Sequence, residues 1–174
     1  MVTLGLDAST TCVGFAFTED KKILDMGFID IKNEKTPKDK VQKVLDFLHQ
    51  ISYIDSVDDI NIEDNLSGFA GGRTSQQVII KLAKFNAILC FMLENFEYNV
   101  NSVNPMTARK QVFGKARVKG KKAKEFVQEE IEKMYNTNKW CKETSNPNTS
   151  NNRFEIKLSA SPAAVTATVI EWDL

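Results

Sequence analysis

Two acids draw attention by where they sit in the chain. Asp7 is the only charged residue among the first eighteen, and it follows the run Val2-Thr-Leu-Gly-Leu6. Glu63 closes a second apolar stretch, Ile60-Asn-Ile62, and Asp64 follows it. A carboxylate left bare among apolar groups is costly, so each must be solvated, paired or bound to a cation. If the two strands pair parallel, both carboxylates emerge at one edge of the sheet, where open α/β sheets commonly bind ligands. Oxygen donors without histidine suit hard cations, with phosphate completing the coordination. Two such ions about 3.5–4 Å apart activate water and stabilise the leaving oxygen of a phosphodiester. The alternative is a pair of solvated strand-end acids with no chemistry at all.

A basic stretch bears on that choice. Residues 105–124 carry Arg109, Lys110, Lys115, Arg117, Lys119, Lys121, Lys122 and Lys124 with no acid among them. Lysines and arginines interleaved with small residues and glycines suit phosphate contacts that position a backbone without reading bases. Beside metal-type carboxylates they point to nucleic-acid cleavage, and otherwise to a solvated loop and helix face. His49 is the only histidine, which argues against a Ser-His-Asp mechanism and a histidine-rich metal site. Cys12, Cys90 and Cys141 are odd in number and lack zinc-like spacing, so they read as free thiols in a reducing compartment.

The elements that must position these groups follow from periodicity. Residues 2–7 and 12–18 read as a hairpin around Ala-Ser-Thr-Thr, and 23–31 as a third strand, giving an antiparallel meander. After a polar connection over 33–40, Val41, Val44, Leu45, Leu48 and Ile51 recur at helical spacing, predicting a helix over about 38–51. Residues 57–62 form a short strand ending on Glu63, and 65–74 a loop with three glycines. The longest helix is expected over 75–96, capped by Thr74 or Ser75. Its apolar residues cover more than one face, which calls for two packing partners: the sheet, and the same helix of a second subunit. A strand over 98–103 follows, then a short helix from Asn104-Pro105 to about Val112 and a basic loop over 114–120. A helix over 121–135 turns Phe126, Val127, Ile131 and Met134 inward. Residues 136–153 read as a polar loop, and Ser161-Pro162 starts a last helix. Helix-linked strands run parallel, so the fold class is mixed α/β: five strands, three in a meander and two added in parallel.

At 174 residues with 42% hydrophobic and 26% charged residues, the chain is expected to be one domain over 1–174 with a substantial core. Its 23 basic and 23 acidic residues balance, so net charge says nothing about partners. Asp7 interrupts the N-terminal apolar run, which argues against a secretory signal. No uninterrupted apolar run reaches the roughly 18 residues of a bilayer span, so a soluble, cytoplasmic protein without a membrane partner is expected.

These residues resemble the RuvC family of Holliday-junction resolvases, which has an RNase H-like fold, and especially its small phage members. Leu4-Gly-Leu-Asp7-Ala-Ser-Thr-Thr-Cys-Val-Gly14 looks like the family's opening hairpin, and Ile60-Asn-Ile-Glu63 like its second acidic strand end. Residues 75–93 correspond to its dimer helix, and Asn104-Pro-Met-Thr-Ala-Arg109-Lys110-Gln-Val-Phe-Gly114 to its Pro-x-x-Val-Arg-Lys segment. The match runs through nearly the whole chain. It implies a homodimeric endonuclease, dependent on Mg2+ or Mn2+, that makes paired nicks across four-way and other branched DNA in recombination and repair. The site would lie in the cytoplasm, that of the host for a phage protein. By the same resemblance Asp7 and Glu63 are catalytic metal ligands. Arg109, Lys110, Lys115, Arg117, Lys119, Lys121 and Lys122 contact DNA, and Leu66 and Phe69 are candidate wedges at the junction centre.

One departure is serious. The family closes its metal site with two acids spaced Asp-x-x-Asp on the last helix, and those positions fall here on Ser159 and Pro162. The nearest substitutes, Glu155, Glu171 and Asp173, are out of register, and Glu171 and Asp173 lie about three turns further on, roughly 15 Å along a helix. The expectation is impaired cleavage with DNA binding retained. A branched-DNA-binding protein without cleavage is therefore an alternative. A second is an actin/sugar-kinase-type phosphotransferase, because Asp7-Ala-Ser-Thr-Thr11 also resembles that superfamily's first phosphate loop; no second such loop is found in the sequence.

Overall fold

The computed structural model describes residues 1–20, 22–64 and 76–134. Five strands make one sheet: β1 (Val2–Ala8), β2 (Cys12–Glu19), β3 (Lys22–Asp30), β4 (Val57–Glu63) and β5 (Asn99–Val103), in the order β3-β2-β1-β4-β5. β1, β2 and β3 pair antiparallel, while β4 pairs parallel with β1 and β5 parallel with β4. This is the expected mixed sheet, with the meander on one side and the helix-linked strands on the other.

Alternation along the strands decides what each face does. Val2, Leu4, Leu6 and Ala8 of β1, Val13, Phe15 and Phe17 of β2, and Ile60 and Ile62 of β4 join one buried cluster. Thr3, Gly5 and Asp7, with Gly14, Ala16 and Thr18, and Asn61 with Glu63, alternate onto the opposite face. Two helices cover the apolar face: α1 (Pro37–Leu48) with Val41, Val44, Leu45 and Leu48, and α2 (Gln76–Asn95) with Phe85, Leu89 and Leu93. Each fully buried aliphatic or aromatic side chain contributes about 1.5–3 kcal/mol. On the opposite face α4 (Ala123–Met134) packs Phe126, Val127 and Ile131 against Ala16 and Met26. Val112 and Phe113 of α3 (Pro105–Phe113) pack alongside them.

Local sequence explains the helix ends. Thr36 caps α1, its hydroxyl accepting from the Asp39 N–H at 3.1 Å, and Pro37 opens the first turn. The sequence placed Pro37 in the connection and Ile51 in the helix. In the structure α1 ends at Leu48, and a 3-10 turn over Ile54–Ser56 leads into β4. Asn104 caps α3, accepting from the Met106 and Thr107 N–H groups, and Gly114 ends the helix at φ 71. The expectation that Met134 points inward is corrected: it is exposed at the end of α4.

Among the described residues α2 is long and apolar enough to cross a membrane by length and composition. Its three buried residues instead hold it to the sheet. Its outer surface carries Ile80, 54% exposed, and Phe91, 62% exposed, on either side of Lys84 and Ala87. That second apolar face is the one that called for another packing partner.

Candidate active site and nucleic-acid interface

β1 and β4 run parallel with Leu4 opposite Ile60 and Leu6 opposite Ile62. Continuing the register by one residue sets Asp7 beside Glu63, both on the face that α4 partly covers. β5 carries the arrangement one strand further, with Val103 opposite Glu63. The two acids of the sequence pattern are thus neighbours at the carboxyl ends of adjacent strands, both half-buried.

Their electrostatics follow from that placement. Burial first, then the Asp7 charge and a hydrogen bond with the Asp7 side chain, together push the Glu63 carboxyl up to about 7 against the opposing Arg109 charge. Two carboxylates held together in a partly desolvated site resist ionising together. A proton shared between them relieves the repulsion, and so does a cation. The donor set, two adjacent carboxylates with no nitrogen or sulfur, fits a hard divalent ion. No group of three or more His, Cys, Asp or Glu side chains suited to a metal occurs among the described residues.

The turn that follows Asp7 is held from several sides. The Ser9 hydroxyl accepts from the Cys12 N–H at 3.0 Å and from the Thr11 N–H at 3.3 Å, and donates to the Cys12 carbonyl at 2.7 Å. The Ile31 N–H donates to the Thr11 carbonyl at 2.9 Å. Lys40 reaches across from α1 and donates to the Thr10 carbonyl. Lys40 was not singled out in the sequence, yet it stands four residues before Val44 and eight before Leu48, on the apolar face of its helix. A lysine at such a position lays its stem along the apolar face and carries its ammonium to a polar group at the edge, here the Thr10 carbonyl.

The basic residues divide into four groups. Arg109 is half-buried, and its Nη1 donates to the Ala116 carbonyl at 3.5 Å, joining α3 to the loop that follows it. Lys115 sits 5.6 Å over the Phe126 ring, and Arg117 approaches the Met106 sulfur at 3.7 Å. Lys121 pairs with Glu129, and Lys122 with Glu125 at 3.7 Å. Acids of α4, just beyond residue 124, therefore neutralise part of the basic stretch. Lys110 and Lys119 are exposed. The sequence assigned Arg109 to DNA only; the fold also brings its charge to bear on Glu63. Leu66, Phe69, Ser159 and Pro162, the 136–153 loop and the last helix lie outside the described residues.

No family model matches the chain, and no curated protein matches it in sequence. Solved structures do match. Thermus thermophilus RuvC is 15% identical with a TM-score of 0.58, covering 95% of this chain and 92% of its own. T. thermophilus RuvC in complex with a Holliday junction substrate is 13% identical with a TM-score of 0.61, covering 97% and 90%. The yeast mitochondrial Holliday junction resolvase is 14% identical with a TM-score of 0.58, covering 95% and 75%. With Asp7 and Glu63 at the ends of neighbouring parallel strands and helices on both faces of a β3-β2-β1-β4-β5 sheet, the chain has the RuvC-like, RNase H-like fold.

Proposed function

We propose that this chain is a metal-dependent endonuclease acting on Holliday junctions and other branched DNA, and works as a homodimer built on the outer face of α2. The observation that carries this is the convergence of Asp7 and Glu63 at one sheet edge with Arg109 beside them, ahead of a loop of exposed lysines. Asp7 and Glu63 are the residues that would hold Mg2+ or Mn2+. A divalent ion bound there supplies Lewis-acid stabilisation of a phosphodiester and an activated water. The chain's own residues do the rest. Lys40 and Ser9 fix the turn after Asp7. Lys115, Arg117 and Lys119 are exposed on the loop after α3, where they would hold backbone phosphates. The dimer would set two such sites against symmetry-related strands of a four-way junction.

A second reading is favoured by one observation. Residues 156–170, which include the positions of the family's last-helix acids, contain no Asp or Glu. The chain would then bind branched DNA and cut it feebly or not at all. One experiment separates the readings. A synthetic four-way junction is offered to the chain in EDTA, to measure binding, and in Mg2+ or Mn2+, to measure nicking, beside Asp7→Asn and Pro162→Asp variants. The endonuclease reading expects cation-dependent nicking that Asp7→Asn abolishes. The binding-only reading expects a gel shift with no nicking, and restored cutting in Pro162→Asp. Absence of a gel shift in EDTA and in cation would sink both.

A further inference from the structure

We infer that the connection from β3 into α1, over residues 31–40, is a second surface for the sugar-phosphate backbone of the same DNA, with Lys35 and Lys38 as its contact residues. This rests on the proposed reading that the chain binds branched DNA, and it adds a surface on the side of the acids away from the loop between α3 and α4.

The first support is placement. In the sheet order β3-β2-β1-β4-β5 the strands carrying Asp7 and Glu63 are inner ones, with β5 and the helix after it on one side and β3 on the other. The connection that leaves β3 is tied to the turn after Asp7 at two points. The Ile31 N–H donates to the Thr11 carbonyl at 2.9 Å, and the Lys40 ammonium donates to the Thr10 carbonyl. Neighbouring strands lie about 4.8 Å apart, so β3 ends about 10 Å from β1, roughly three nucleotide steps along a duplex axis. The acids lie on the face that α4 partly covers, and α1 covers the other. A backbone lying across the edge between those faces reaches both.

The second support is charge. Residues 32–43 hold five lysines against Glu34 and Asp39. Lys43 holds the Glu34 carboxylate at 2.8 Å, and Lys32 lies 3.7 Å from that of Asp30. Lys35 and Lys38 are exposed. At the other edge of the sheet the sign reverses. Glu19 and Asp20 stand at the end of β2, Asp55, Asp58 and Asp59 at the start of β4, and Glu97 just after α2, while Lys22 opens β3 at that same edge. Opposite charges gathered at opposite edges make a field that steers a polyanion onto the edge carrying Asp7 and Glu63.

The third support is rigidity. The Glu34 N–H donates to the Ile31 carbonyl at 3.3 Å, the Thr36 hydroxyl accepts from the Asp39 N–H at 3.1 Å, and Pro37 sets the first turn of α1. Lys38 stands three residues before Val41 and seven before Leu45, both buried, and is nevertheless exposed. Helical side chains lean toward the N-terminus, and in α1 that end lies at the sheet edge. The backbone positions of Lys35 and Lys38 are therefore set before a phosphate arrives, which lowers the cost of ordering them on binding.

The test is binding of a synthetic four-way junction by the full chain in EDTA across a salt series, with the thermal midpoint measured for each variant. The double variant Lys35→Ala, Lys38→Ala should bind at least about tenfold more weakly at low salt, and its slope of log affinity against log salt should fall by about 2. The double variant Lys35→Arg, Lys38→Arg keeps both charges and should keep the parent slope. Lys22→Ala removes a charge at the acidic edge and should leave the slope unchanged. All midpoints should stay at the parent value, because these side chains are exposed. A parent chain that binds the junction, with an alanine double variant of unchanged slope, would overturn the inference and leave the DNA reading standing. An effect of Lys22→Ala equal, per charge, to that of the alanine double variant would also overturn it, since that is the mark of a general field without contact. A parent chain that binds no junction at any salt would overturn both. The expected loss of slope in a chain that never nicks the junction in Mg2+ or Mn2+ would overturn the endonuclease reading and leave this surface standing.

Discussion

Glu63 occupies a position where its charge is disfavoured by burial and by Asp7, and Arg109 offsets only part of that. The consequence for stability has a definite sign. A carboxyl raised from 4.5 to about 7 on folding contributes its full favourable share below the unfolded value and loses it as pH rises through the folded one. The shift corresponds to an upper bound of about 3 kcal/mol, which partial solvation of the pair reduces to about 2 kcal/mol. Metal-free protein in EDTA should therefore unfold at lower temperature at pH 8 than at pH 5. Glu63→Gln, which keeps the shape and cannot ionise, should flatten that dependence and raise the midpoint at pH 8 by about 4–8 °C. Identical pH profiles for the two proteins would remove the repulsion invoked here. Seen from the sequence, both acids were legible because each ends an apolar run. The interaction with Arg109 was not, since it depends on how α3 leaves β5, and no spacing along the chain encodes that angle.

At the scale of elements, the strands and helices were legible because alternation and helical periodicity are set by the same burial that the fold enforces. Val2, Leu4, Leu6 and Ala8 alternate along β1 and all reach the core. Misreadings fell at ends, where periodicity gives out. Pro37 belongs to the first turn of α1 because Thr36 caps it, and Met134 is exposed at the last described turn of α4. The opposing acids Glu125 and Glu129 were missed because a window ending at residue 124 stops just before the helix that carries them. α2 raises a separate expectation. Its exposed Ile80 and Phe91 share a stripe with Lys84 and Ala87, the spacing of a seam between two helices. Replacing Phe91 by Glu should leave the circular dichroism spectrum and the thermal midpoint nearly unchanged, because that side chain is outside the core. It should also convert a dimer to a monomer in sedimentation equilibrium at micromolar concentration. A parent chain that is already monomeric would end the dimer proposal.

At the scale of the whole molecule, balanced net charge hides an uneven surface. Exposed basic groups gather on the loop between α3 and α4, and two of them are held by acids of α4. If branched DNA binds there, affinity should fall steeply with salt, because each neutralised phosphate releases bound counterions. Lys119→Ala should reduce the slope of log affinity against log salt by about 1. Lys121→Ala should reduce it less, because its ammonium is shared with Glu129. Equal effects of the two would mean that the Glu129 pair opens on binding.

The two faces of the sheet also differ in what holds them. α1 and α2 are joined to one face through a broad set of buried side chains, whereas α4 meets the other through Phe126, Val127 and Ile131. That division sets a clock. The time for which a backbone amide stays protected depends on the free energy of the smallest opening that exposes it. Amides of α4 should exchange with solvent deuterium well before those of α1 and β1, so α4 can part from the sheet, and take the basic loop with it, while Asp7 and Glu63 keep their register.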